Sequence, residues 1–190
     1  MIGELEDAIK ARLGDLKSQV RRLNVGDYGG ELSDDDLLVE MLKNSPSVLI
    51  TTPKIAFKPK SNRRYLATVV FRLVISSTSV RGERETRRGS GSVASDPGSY
   101  WIWESCLRLL ANWPHKPGGA LVKPTEFTNL VNGKYQGSHL SVLGQSFAVE
   151  TDWEIPEGEL PWLEGVDISY HVPAGNPDAT VTDSIDLGEQ

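Results

Sequence analysis

Apolar residues recur at steps of three and four over residues 2–23, which predicts an amphipathic N-terminal helix. Gly14 lies inside this segment and disfavours the helix by about 1 kcal/mol relative to alanine. A second, short helix is predicted after Ser33, because Ser33 can cap it and three aspartates follow where the helix dipole favours carboxylates. Pro46 ends that helix.

The next two segments show the composition and alternation of β-strands. Residues 47–57 are rich in β-branched side chains, but Pro53 interrupts them, which predicts an edge strand or a bend. Residues 64–79 are apolar in one phase of the alternation and mostly apolar in the other, which is typical of a central strand covered on both faces. A basic turn over residues 58–64 separates the two runs, so the pair is predicted to form an antiparallel hairpin.

A wide apolar face after Asp96 predicts a helix packed flat on a sheet, with Asp96 and Pro97 opening the helix and Pro114 ending it. The following residues, 114–138, are irregular and contain only short apolar pieces. The pattern of these short pieces does not decide between strand and helix.

Two further strands are predicted near the end of the chain. Residues 139–155 alternate over a long stretch, and the apolar phase changes near Gly144, which predicts a β-bulge there. Residues 163–172 form the last predicted strand. The fold class is therefore mixed α/β, of the α+β type, with a largely antiparallel sheet of about four strands and two or three helices packed on it. We expect one domain over residues 1–172 and a loosely ordered acidic tail over residues 173–190.

Charge is unevenly distributed along the chain. The last lysine or arginine is Lys134, and 11 acidic residues follow it, whereas the formal net charge of the whole chain is only -6. Such segregation fits a subunit that docks head to tail on its neighbours, and it equally fits a basic body with a solvated acidic tail. The single cysteine, Cys106, excludes an internal disulfide, and no apolar run approaches the length of a membrane span.

Two basic clusters are candidates for an interface or for the lining of a pore. Residues 80–95 lack periodicity and are rich in Gly, Ser and Arg, so we expect an exposed, mobile loop. Such a loop could contact DNA phosphates weakly in a lumen, although it contains no interleaved aromatic residue for stacking, and it could equally be a solvated loop. The candidates are Lys58, Lys60, Arg63 and Arg64 in the hairpin and Arg81, Arg84, Arg87 and Arg88 in the loop.

Glu150, Asp152 and Glu154 share one face of a predicted strand and form a candidate acidic interface. Their oxygens could hold a divalent cation, but an exposed strand face is the favoured reading. A hydrolase that uses His139 or His171 with these acids ranks last, because nothing supplies an activated nucleophile. Cys106 lies on an apolar stripe and is expected to be an inert, buried thiol. We therefore predict no enzyme activity, no cofactor and no metal site.

The order of elements resembles a family of Mu-like phage and prophage tail-terminator, or neck, proteins. The resemblance covers about residues 1–172 and depends on the overall layout. It is carried by the helix MIGELEDAIKARLGDL, the strand RRYLATVVFRLVIS, the helix YWIWESCLRLLANW and the strand pair GQSFAVETDWEI and GVDISYHV.

The resemblance implies a virion protein that assembles in the host cytoplasm and forms a ring, commonly a hexamer, on the tail tube. The implied partners are further copies of the chain, the tail tube protein and the head–tail connector protein, with no membrane involved. The ring would end tube polymerisation and join the tail to the head. The alternatives are a head-completion or connector ring protein and, further away, a DNA-associated accessory protein.

Overall fold

The computed structural model of the chain divides into two compact units, Met1–Glu154 and Ile155–Gln190. The described residues are 2–33, 41, 43–79, 81–90, 92–130, 139–155, 165–171 and 180–186.

The helices of the first unit are α1 (Ile2–Leu13), α2 (Glu83–Arg88) and α3 (Ser99–Leu110), and a 3-10 helix (Gly14–Ser18) follows α1. The α-helix predicted to reach residue 23 ends at Leu13, and the tighter helix begins at Gly14, where helix propensity is lowest. The apolar positions beyond Leu13 are nevertheless buried in the core, namely Leu16, Val20 and Leu23.

Five strands form the sheet of the first unit, in the order β1-β2-β3-β5-β4. Strand β1 runs parallel to β2, and the other neighbours are antiparallel. The α+β class with a mostly antiparallel sheet is therefore confirmed, although β1 and β4 were not predicted as strands. The strands are β1 (Asn24–Asp27), β2 (Ser47–Ser61), β3 (Arg64–Thr78), β4 (Lys123–Asn129) and β5 (Leu140–Glu154).

The hairpin of β2 and β3 is confirmed and closes through a two-residue turn in which Arg63 has a φ of 59°. The register of β2 with β3 shifts between Thr51 and Lys54, and Pro53 lies within this interval. Strand β1 pairs only with Ser47 to Ile50 of β2. The remainder of β2 is an open edge within the described part of the chain, so Pro53 marks both a bulge and an edge position, as its missing N–H requires.

The main core lies between the sheet and helices α1 and α3. Strand β3 is central in the sheet, and one phase of it is fully buried from Ala67 to Ile75. At the centre, the rings of Phe71 and Phe147 stack with their centroids 5.2 Å apart and an angle of 11° between them. Helix α1 contributes Leu5, Ile9 and Leu13, and α3 contributes Ile102, Cys106 and Leu110.

A smaller apolar cluster covers part of the opposite face of the sheet. Leu49, Val74 and Val142 are buried there, which confirms that β3 is covered on both faces at this end. The bulge predicted at Gly144 is wrong, because Gly144 pairs in regular register with Val74. The glycine instead allows a close approach, since a Cβ at this position would lie 3.1 Å from Leu130 Cδ1.

Cys106 lies in the main core, with no exposed surface, and burial raises the pKa of its thiol to about 12 because desolvation disfavours the thiolate. At pH 8 the native protein is therefore expected to react with a thiol-specific disulfide reagent only as fast as it unfolds. The measurement is the labelling rate in buffer and in denaturing urea. Rapid labelling of the native protein would contradict the burial of Cys106.

The second unit contains an antiparallel pair of strands, β6 (Gly165–His171) and β7 (Thr180–Asp186). Strand β6 confirms the last strand predicted from the sequence. Strand β7 falls within the acidic segment for which loose order was expected. The predicted second helix, after Ser33, lies largely outside the described residues, although Met41 and Lys43 are helical.

Candidate interaction surfaces at the two ends of the sheet

The long strands separate the two basic clusters that the sequence singled out. Strand β3 has 15 residues, and at about 3.3 Å per residue it is about 46 Å long. The turn between β2 and β3 lies at one end of this strand, and α2 follows its other end. The sheet therefore presents two distinct charged surfaces, here called the hairpin end (residues 58–64 and 150–154) and the arginine end (residues 81–90 and 96–100).

At the hairpin end, the predicted basic and acidic candidates lie together. Lys60 forms an ion pair with Asp152, and Arg64 Nε lies 3.5 Å from Glu154 Oε1. Lys58, another of the basic candidates, lies opposite Leu66 in the pairing of β2 with β3. All four paired side chains are more than half exposed, so each pair adds little to stability. The acidic candidates lie on an exposed strand face, with Glu150 opposite Thr68.

The opposite face of the hairpin end carries aromatic side chains that the sequence analysis did not single out. Phe57 contacts Trp153 edge to face at a centroid distance of 5.5 Å and Tyr65 at 6.2 Å. Phe57 remains 50% exposed. Because alternate residues of a strand point to opposite faces, the aromatic and ionic groups are segregated across this end of the sheet. The alternation of aromatic and charged side chains along β3 and β5 was the sequence feature that could have revealed this arrangement.

At the arginine end, the prediction of a mobile loop is wrong for residues Glu83–Arg88, which form α2. Thr86 anchors this helix and is only 1% exposed. Its Oγ1 lies 2.8 Å from the carbonyl oxygen of Gly82 and 3.0 Å from that of His139, just before β5. The hydroxyl therefore links the middle of α2 to the residue that precedes β5.

Asp96 fastens the segment after α2 rather than capping α3. Its carboxylate accepts hydrogen bonds from the hydroxyls of Ser79, at 3.3 Å, and Ser90. The N-cap residue of α3 is Gly98, which has no side chain to cap the helix, so the predicted start at Asp96 and Pro97 is two residues early. The carboxylate instead links Ser79, which follows β3, with Ser90, which follows α2.

Gly98 lets the end of α2 contact the start of α3 directly. A Cβ at this position would lie 2.3 Å from both the carbonyl oxygen of Arg87 and the amide nitrogen of Gly89. Real Cβ atoms do not approach backbone atoms so closely, so no other residue fits without displacing the backbone. This contact fixes the arginines of α2 relative to the first turn of α3.

The result is a shallow cleft of about 560 Å³ lined by Arg84, Arg87, Arg88 and Tyr100. The three arginines are exposed and lie at i, i+3 and i+4, on one face of α2. Tyr100 comes from the first turn of α3 and is 38% exposed. Arg81 lines an adjoining depression with Glu85 and donates a hydrogen bond to the carbonyl oxygen of Ser90.

His139 is not brought together with the candidate acidic residues. His139 precedes the first residue of β5, whereas Glu150, Asp152 and Glu154 lie at its other end. Among the residues that the structure describes, no group of three His, Cys, Asp or Glu side chains is arranged to hold a metal ion. None of the described helices is both long and apolar enough to cross a bilayer.

These features define an α+β protein whose first unit is built on an open five-stranded sheet, with the candidate interaction surfaces at the exposed, charged ends of that sheet. The chain belongs to the bacteriophage Mu Gp37 family, whose model, described as "Bacteriophage Mu, Gp37", matches residues 1–153. It is therefore a Mu-like bacteriophage protein. No curated protein matches the chain. The matched region ends with the first unit, and residues 155–190, which contain eight acids and neither lysine nor arginine, lie outside it.

Proposed function

We propose that this protein is a structural virion protein, the tail terminator, which forms a ring at the head-proximal end of the tail tube. The ring ends polymerisation of the tube and joins the tail to the head connector. Membership of the bacteriophage Mu Gp37 family supports a role in phage structure or morphogenesis. The resemblance to tail-terminator proteins supports the proposed position at the end of the tail tube and the proposed six-fold ring.

The observation that carries the proposal is the pair of unlike open edges of the sheet. A ring of identical subunits needs two different patches on each subunit that are complementary to each other. Strand β4 forms one edge of the sheet, and β2 beyond Thr51 forms the other, within the part of the chain that the structure describes. Unpaired strand edges offer backbone donors and acceptors for association with another chain.

Exposed aromatic side chains accompany both edges. Phe127 of β4 is 45% exposed and contacts Trp103 at a centroid distance of 5.0 Å, and Phe57 of β2 is 50% exposed. Aromatic residues are enriched at protein interfaces, where they supply apolar contact area. Under the proposal, the β4 edge of one subunit faces the β2 edge of the next.

The acidic residues 155–190 give the subunit a strongly negative segment in addition to these edges. In the proposed assembly this segment steers association with a basic partner in a neighbouring layer, where complementary charge raises the association rate and excludes wrong partners. Ring formation itself is assigned to the sheet, which the family match covers.

Deletion of the gene from the phage is expected to yield overlong tails that are not attached to heads, because nothing would stop the tube or join it to the connector. Electron microscopy of the lysate gives the tail-length distribution and the fraction of tails with heads. Wild-type protein supplied in trans should restore both. Labelled antibody should bind wild-type particles at the neck.

Two outcomes would contradict the terminator role. Tails of normal length with unattached heads would assign the protein to the connector layer instead. Normal, complete particles that lack the protein would exclude any structural role in the neck.

A further inference from the structure

We infer that the cleft formed by Arg84, Arg87, Arg88 and Tyr100 binds the phosphodiester backbone of double-stranded DNA. This goes beyond the proposed ring, and either can fail without the other. The cleft is fixed to the sheet by Thr86 and by the Gly98 contact, so its cationic groups are held in place before a ligand arrives.

Ion pairs with described residues do not account for the three arginines. None of Arg84, Arg87 and Arg88 forms an ion pair with a residue that the structure describes, whereas Lys10, Lys60, Arg64 and Arg72 all do. Like charges at i and i+4 destabilise a helix. The cluster therefore places three guanidinium groups side by side at an electrostatic cost that an anionic ligand would remove.

Helix electrostatics explains only part of the cluster. Cations are favoured in the last turn of a helix, which accounts for Arg87 and Arg88. Arg84 lies in the first turn of α2, where the helix dipole disfavours positive charge. A polyanion in the cleft would compensate this unfavourable placement.

The start of α3 adds to the positive potential of the cleft. Helix α3 has no acidic residue in its first turn and no side-chain cap, and Tyr100 lies in that turn. Helix N-termini attract phosphate groups, and a tyrosine hydroxyl can donate a hydrogen bond to a phosphate oxygen. Guanidinium groups bind phosphate oxygens in a bidentate way, which suits a repeating phosphate backbone.

Double-stranded DNA is favoured over an acidic polypeptide because it presents phosphates at a regular spacing and is the cargo of a bacteriophage particle. The cleft is shallow and open, which suits a backbone passing across it rather than a small molecule enclosed within it. Binding of this kind does not depend on the DNA sequence, because the contacts are made to phosphates and not to base edges.

The test measures the affinity of the full chain for a short labelled DNA duplex by fluorescence anisotropy. Three phosphate contacts predict a slope of log affinity against log salt of about -2.7, so affinity falls about 40-fold between about 50 and about 200 mM salt. The triple variant Arg84→Ala, Arg87→Ala, Arg88→Ala should lose at least about tenfold in affinity at the lower salt concentration and most of the salt slope.

The matched control removes the same charge elsewhere. Lys17, Arg21 and Arg22 are exposed and lie outside the cleft, so Lys17→Ala, Arg21→Ala, Arg22→Ala should weaken binding less than about threefold. An equal loss in both triple variants, or no binding of wild-type protein to duplex, would overturn the inference. Stronger binding of poly-glutamate than of duplex would also overturn it and assign the cleft to an acidic protein.

Tyr100 provides a second test that leaves every charge in place. Removal of its hydroxyl in Tyr100→Phe should weaken duplex binding as much as Tyr100→Ala does, because the hydroxyl makes the proposed phosphate contact. If Phe retains full affinity, and if single-stranded DNA binds more tightly than duplex, the ring stacks on unpaired bases and the duplex assignment is wrong.

Discussion

Replacement of Phe71 with alanine is expected to lower the free energy of unfolding by about 3–5 kcal/mol. Phe71 has no exposed surface and lies at the centre of β3, stacked on Phe147. The substitution removes buried apolar area and leaves a cavity that a sheet paired on both sides cannot close by moving a single strand. Urea denaturation followed by tryptophan fluorescence measures the loss.

Phe57→Ala is the matched control for this prediction, because it removes the same side chain from a half-exposed position on the same sheet. We expect a loss of about 1 kcal/mol, from partial burial and two edge-to-face contacts. Equal losses for the two variants would contradict the placement of the core between the sheet and helices α1 and α3.

Gly98→Ala is expected to destabilise the first unit by about 3 kcal/mol or more, although it adds only one methyl group. The new Cβ would overlap backbone atoms of Arg87 and Gly89, and backbone atoms cannot rotate aside as a flexible side chain can. The end of α2 must therefore move away from α3. Thermal unfolding measures the stability, and limited digestion with trypsin measures the exposure of the α2 arginines, which should be cut faster.

Gly3→Ala tests whether the effect at residue 98 is steric. Gly3 lies in α1, and a Cβ there would meet nothing within 4 Å. The substitution should raise stability by up to about 1 kcal/mol, since alanine favours helix. A neutral Gly98→Ala variant would show that α2 and α3 are not in contact.

The central part of the fold could be predicted because local pattern and tertiary environment agree there. Strand β3 is apolar in one phase and mostly apolar in the other, and the structure places it between two neighbouring strands with apolar clusters on both faces. The N-terminal segment shows the limit of this reasoning. Its apolar periodicity identified the buried residues correctly, but it did not reveal that the α-helix ends at Leu13, because periodicity alone does not locate a helix end.

Strands β1 and β4 were missed for a physical reason. Both are short edge strands, and every residue of β4 except Thr128 is exposed. Edge strands with polar side chains and proline carry little of the alternation that identifies a strand. Their extended conformation is stabilised by hydrogen bonds to a partner strand that lies elsewhere in the chain, which a local pattern does not encode.

The sequence identified residues of the candidate surfaces, but it did not show which of them lie next to one another. Lys60 and Asp152, 92 positions apart, form a pair only because β2 pairs with β3 and β3 pairs with β5 in register. The sequence placed the arginines of α2 in a loop without an aromatic partner, whereas the start of α3 supplies Tyr100. The available signals were Thr86, the single threonine of the arginine-rich segment 80–95, Gly89 in the same segment, and Gly98 shortly after it.

The pairing of β3 with β5 has a consequence for biosynthesis. Partner residues in these strands are 62 to 90 positions apart in the chain, whereas the β2–β3 hairpin is closed by two residues. During translation the hairpin can therefore form before β5 has been synthesised, and the edge of β3 that pairs with β5 stays unpaired until then. Positive charges on Arg64 and Arg72 of β3 would repel nascent copies on the same polysome, since charged side chains on an open strand hinder edge-to-edge aggregation.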